Sequence, residues 1–107
     1  MPHSQQGFRG RKVLIHVVLM RFSDAADAAK AKLRLEELAA VVPEIRSVEV
    51  AVDELATEVS WHLFLRTTHL DADDLRAYQA HPAHSEFGAW VRPLLASRAV
   101  VDYTAVS

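Results

Sequence analysis

Between Lys12 and Phe22 the chain reads KVLIHVVLMRF, a short run with apolar side chains on both parities. Its β-branched content and its length mark a strand rather than a helix. Val13, Ile15, Val17 and Leu19 occupy one face; Leu14, His16, Val18 and Met20 occupy the other. A strand with one solvated face alternates apolar and polar residues. This one needs cover on both sides, and few small folds supply it.

The rest of the chain limits what that cover can be. With 107 residues there is room for one domain. Ser23 and Asp24 offer a helix N-cap, and the Ala- and Leu-rich stretch from Ala25 to Val42 aligns Leu35, Leu38 and Val42 on one face, extended by Ala31 and Ala39. Pro43 stops that helix. Ser47–Val52 alternates and reads as a second strand, and Glu58–Thr67 (EVSWHLFLRT) as a third, with Trp61, Leu63 and Leu65 opposite His62 and Phe64. Asp71 caps the next helix, with Asp74 in its first turn. His81-Pro82 breaks it, because the residue before proline is pushed out of helical geometry. A further helix spans about Ala83 to Arg92, and Arg98–Ala105 is the last strand.

The order β-α-β-β-α-β predicts an α+β, ferredoxin-like subunit. Its helices cover one side of the sheet, so the side bearing Val13, Ile15 and Trp61 stays uncovered within one chain. An apolar face of that size exceeds what monomers tolerate. Packing it on the same face of a second copy predicts a homodimer whose two sheets close into an α/β barrel.

Residues 1–11 are polar, carry two of the three glycines and read as a loose N-terminal arm, leaving 12–107 as the domain. Half the residues are apolar, 24% are charged and the net charge is −2, with both signs interspersed. No basic patch predicts nucleic-acid binding. Cysteine is absent, which excludes disulfides and thiolate chemistry. The longest apolar run, Val13–Met20, is far too short for a membrane span. A cytoplasmic protein with no membrane partner is expected.

Tyr78-Gln79-Ala80-His81-Pro82-Ala83-His84, followed by Phe87, Pro93 and Val100-Val101-Asp102-Tyr103, forms the most specific pattern in the chain. Joined to Ile15–Phe22, to Val42-Pro43-Glu44-Ile45 and to Trp61-His62, it resembles the Dabb (stress-responsive A/B barrel) family over Lys12 to Thr104. The resemblance implies a ferredoxin-like subunit whose sheet meets a partner's, in agreement with the reading of the strand faces. Similar plant proteins close polyketide rings. Their tyrosine and histidine match Tyr78 and His84, their aspartate matches Asp102, and their strand histidines match His16 and His62. A tyrosine they use on the first helix falls opposite Leu35 here, which removes one polar contact to substrate.

If the relevant strand faces all turn toward the helices, His16, His62, Tyr78, His84 and Asp102 line one pocket, with Leu35, Phe64, Phe87 and Trp90 as apolar candidates for ligand contact; a pocket closed by those four favours a structural dimer instead. In that arrangement Asp102 fixes the tautomer of His84 as a general base, and Tyr78 donates a hydrogen bond to a developing oxyanion. Proton abstraction beside a carbonyl, or aldol-type ring closure, suits such a set. The same His-Asp pair can equally hold a helix to a strand with no catalytic part.

Three classes therefore follow: a cofactor-free cyclase or lyase (or, on the same architecture, a cofactor-free monooxygenase); a binder of an apolar, partly oxygenated small molecule; and a stress-associated structural dimer. No cofactor is expected. No metal site is expected either, since Pro82 disturbs the His81/His84 spacing. Trp61 and Trp90 read as core or interface anchors, and His69 has no assigned part.

Overall fold

A computed structural model describes residues 10–106. Residues 1–9, most of the expected arm, lie outside the described residues. Four strands and three helices follow in the order β1 (Lys12–Phe22), α1 (Asp27–Val41), β2 (Ser47–Val52), β3 (Leu63–His69), α2 (Ala72–Ala80), α3 (Pro82–Val91), a single 3₁₀ turn (Arg92–Leu94), and β4 (Leu95–Val106). The strands form one antiparallel sheet in the order β2-β3-β1-β4. Each helical crossover skips one strand, as the ferredoxin-like topology requires.

The helix boundaries follow local chemistry. Asp24 Oδ1 accepts from the Ala26 amide at 3.0 Å, so the Ser23-Asp24 signal forms a turn and α1 begins at Asp27, two residues later than the sequence suggests. Asp71 caps α2 by accepting from the Asp74 amide at 2.9 Å. His81 ends α2 in extended geometry, and its Nδ1 accepts from the Ala83 amide at 3.0 Å to start α3, with Pro82 in the first turn. Two short helices thus meet at a fixed angle, and the break at His81-Pro82 presents Tyr78 and His84 to the same space.

The third strand differs from the sequence reading. It starts at Leu63 rather than Glu58, because Thr57 and Ser60 close a turn: the Thr57 amide donates to Ser60 Oγ at 3.0 Å, and the Ser60 amide to the Thr57 carbonyl at 3.1 Å. Val59 is left in solvent.

Register assigns the faces. His16, Val18 and Met20 of β1 lie beside Thr67, Leu65 and Leu63 of β3 and beside Asp102, Val100 and Arg98 of β4. This side carries the core, where Leu63, Leu65 and Val18 meet Ala31, Leu35 and Leu38 of α1. Burying such side chains stabilises the fold by about 1.5–3 kcal/mol each. Phe64 and Trp61 belong to the opposite side, where the Arg21 guanidinium lies 4.5 Å over the Trp61 ring. The outer side is only partly covered within one subunit: Val17, Leu19 and Phe64 are half-buried, while Val101 and Tyr103 are exposed. Val13 and Ile15, expected to be wetted in a lone subunit, are already buried.

Candidate functional site

β4 is an edge strand, and the helices pack chiefly over β1, β2 and β3. Between β4, the adjoining part of β1, and α2 and α3 the layers separate and enclose a cavity of about 470 Å³. Val18, Met20, Leu35, Leu65, Phe87 and Val91 form its apolar wall. His16, Tyr78, Gln79, His84 and Asp102 contribute polar groups, and Arg92 and Arg98 contribute charge.

His16 and Asp102 are direct partners in the β1–β4 register, and Asp102 Oδ1 lies 2.5 Å from His16 Nδ1. Nδ1–H donates to the carboxylate, so the lone pair resides on Nε2. Among the described residues no buried side-chain nitrogen or oxygen lacks a partner. Nε2 of His16 and the hydroxyl of Tyr78 have no hydrogen-bond partner among the described residues, so both reach the open space of the cavity. Burial pushes the Tyr78 phenol up to about 12, which keeps it protonated and able to donate.

His84 stands edge-on to Tyr78, with ring centroids 4.8 Å apart. Burial lowers its pKa, and the nearby His16, Arg98 and Arg92 act in the same direction. It is therefore a neutral imidazole at pH 7.

Asp102 does not serve His84. The expected His84–Asp102 pair is replaced by His16–Asp102, because antiparallel register sets those two side by side while His84 lies on α3. Leu35 and Phe87 line the cavity as expected. His62, Phe64 and Trp90 do not. His62 precedes β3 and accepts from the Phe22 amide through Nδ1 at 2.9 Å, stacked on Phe22, roughly 20 Å along β1 from His16. Phe64 points to the outer side by strand parity. Trp90 turns toward α1 under the Arg34 guanidinium, which lies 4.3 Å from its ring.

His69 was missed. It is completely buried, stacked on Tyr78 at 5.4 Å, with Nδ1 2.7 Å from the Glu44 carbonyl and Nε2 2.7 Å from Thr67 Oγ1. Since the carbonyl only accepts, Nδ1 carries the hydrogen and Thr67 donates to Nε2. His69 thus holds the Tyr78 ring in place. The sequence signal was its parity with Leu63, Leu65 and Thr67, visible only once β3 is known to reach residue 69. Among the described residues no three His, Cys, Asp or Glu side chains converge as a metal site. No helix there is long and apolar enough to cross a membrane.

Sheet order, crossover pattern and cavity define a ferredoxin-like α+β protein with a small-molecule-sized space between sheet and helices. The chain belongs to the stress-responsive A/B barrel domain (Dabb) family, whose sequence pattern matches residues 14–105. A search of curated proteins gives no significant match.

Among solved structures it is similar to a dimeric ferredoxin-like protein of unknown function from Thermobifida fusca, at 24% identity over 96% of this chain and 100% of that one, TM-score 0.80. It is also similar to a dimeric protein of unknown function with a ferredoxin-like fold from Bacteroides fragilis, at 29% identity over 90% and 97%, TM-score 0.76. A hydroxynitrile lyase from Passiflora edulis shares the fold at 15% identity over 87% and 93%, TM-score 0.75.

Proposed function

We propose that this protein is a cofactor-free enzyme of the lyase or cyclase type, moving a proton at the carbon beside a carbonyl group, and that it works as a homodimer. The observation that carries this reading is the His16–Asp102 hydrogen bond on the wall of the cavity that also holds Tyr78 and His84.

His16 is the base. Its Nε2 lone pair takes the proton from carbon, and Asp102 offsets the charge that the ring acquires. The C–H bonding pair moves toward the carbonyl, and the enolate oxygen accepts a hydrogen bond from the Tyr78 hydroxyl. The enolate carbon then forms a C–C bond to a second carbonyl carbon of the same molecule, whose oxygen recovers the proton from His16. Run backward, these steps cleave a C–C bond. The Passiflora edulis hydroxynitrile lyase supports the point that this fold can house a lyase. His84, neutral and on the opposite wall, accepts a hydrogen bond from a substrate hydroxyl. The apolar wall suits a polyketide-like carbon skeleton, and the cavity lies within the range typical of small-molecule sites, about 300–1,000 Å³.

The dimer reading is supported by the half-covered outer face and by relatives described as dimeric. Two outer faces packed together bury Val17, Leu19, Phe64 and Val101 and close the barrel.

The test is exchange of α-protons of a panel of 1,3-diketones and β-keto esters in heavy water, followed by NMR. The wild type is expected to accelerate exchange and His16→Gln to lose the acceleration while still binding the ligand. Binding without exchange in the wild type would establish a non-catalytic binder.

A further inference from the structure

We propose that the cavity selects substrates carrying a carboxylate, docked at Arg92 and Arg98 with the reacting carbonyl directed toward His16. The direction toward His16 rests on the preceding reading; the carboxylate site itself requires only that the cavity admit a small molecule. Both arginines line the cavity. Other arginines are engaged: Arg46, Arg66 and Arg76 pair with Asp74, Glu49 and Asp73 at 2.9, 3.4 and 2.5 Å, and Arg21 and Arg34 lie over Trp61 and Trp90. Among the described residues neither Arg92 nor Arg98 has a carboxylate or an aromatic ring as partner.

The backbone makes room for this charge. Gly88 sits on the cavity wall one helical turn before Arg92, and a Cβ added there would come 2.7 Å from Arg92 Nη1. The guanidinium therefore folds back along α3 through the space that a side chain at position 88 would take. Arg98 approaches from β4, opposite Met20. Both charges also disfavour protonation of His84 on the cavity wall.

The acidic group of the cavity stands at the other end. Asp102 lies four residues beyond Arg98 on the same face of β4, about 13 Å away along an extended strand, with Oδ1 held by His16. An anionic ligand is attracted to one end and repelled from the other, so the cavity sets its direction as well as its charge. A planar guanidinium matches a carboxylate in two-point geometry.

The experiment compares 2-naphthoate with the near-isosteric 2-naphthamide by calorimetric titration of full-length protein, for wild type and for Arg92→Gln/Arg98→Gln. Both arginines are exposed, so the double variant is expected to melt as the wild type does. The wild type is expected to bind the acid at least tenfold more tightly than the amide. The double variant should bind the two within twofold of each other, with the amide affinity unchanged. Equal wild-type affinities, or a preference that survives in the double variant, overturn the carboxylate site while leaving the cavity a ligand site. Binding of neither probe overturns both.

Discussion

Asp102 and His16 face each other across the β1–β4 pair, and 2.5 Å separates Oδ1 from Nδ1. Antiparallel register sets the two residues side by side and so makes this contact. The aspartate selects one tautomer of the histidine. In Asp102→Asn the amide can turn either its oxygen or its NH₂ to the ring, so that selection is lost. Long-range ¹H–¹⁵N spectra of the wild type should show His16 protonated at Nδ1, and the variant should show a mixture of tautomers. Any catalysed α-proton exchange should fall by about 10²-fold or more. A wild-type spectrum with the proton on Nε2 would remove the base assigned here.

The Tyr78 ring is buried between His69 and His84, yet among the described residues its hydroxyl has no hydrogen-bond partner. Tyr78→Phe keeps the ring contacts, so chemical unfolding should move by less than about 1 kcal/mol. Exchange activity should drop by about 10²–10³-fold, because the oxyanion donor is gone. A large loss of stability would mean that the hydroxyl serves the fold.

His69 ties the end of β3 to the Glu44 carbonyl and is held neutral by burial. Its folded pKa, like that of His84, lies below the ordinary histidine value of about 6.5. Between those two values the unfolded chain binds protons that the folded chain does not, so stability is full above about 6.5 and falls as the pH drops. Urea midpoints should therefore decrease from pH 7 to pH 5. His69→Gln should cost about 1–3 kcal/mol at pH 7 through its disturbed buried hydrogen bonds, and should flatten the acid-side slope. An unchanged slope would show that other groups carry it.

Val101 pairs with Val17 on the outer face and is 60% exposed in one subunit. Val101→Glu places a charge where two sheets are proposed to meet, without touching the core between sheet and helices. Sedimentation should show dimer for the wild type at micromolar concentration and monomer for the variant, with the far-UV circular dichroism spectrum preserved. A monomeric wild type would end the barrel reading.

Leu35 is 2% exposed and borders both core and cavity. Leu35→Ala should destabilise the chain by about 2–5 kcal/mol, measured by denaturant unfolding, and enlarge the cavity on its α1 side. A cost below 1 kcal/mol would indicate that the site collapses around the gap.

Residue types and spacing were enough for the architecture. The two-sided apolar pattern of Lys12–Phe22, the Asp71 cap and the His81-Pro82 break are local, short-range signals, and local signals decide which segments become strands and helices. They also bring Tyr78 and His84 together, since both flank the same break. What lay beyond them depends on contacts between residues far apart in sequence. Parity states which side chains share a face of a strand, but not which face meets the helices; that depends on register, which a single turn can shift. The Thr57–Ser60 turn delays β3, and the β1–β3 register puts Phe64 outward and His69 in the core. Sequence reading pairs Asp102 with His84, and only the register of β1 against β4 gives the aspartate to His16 instead.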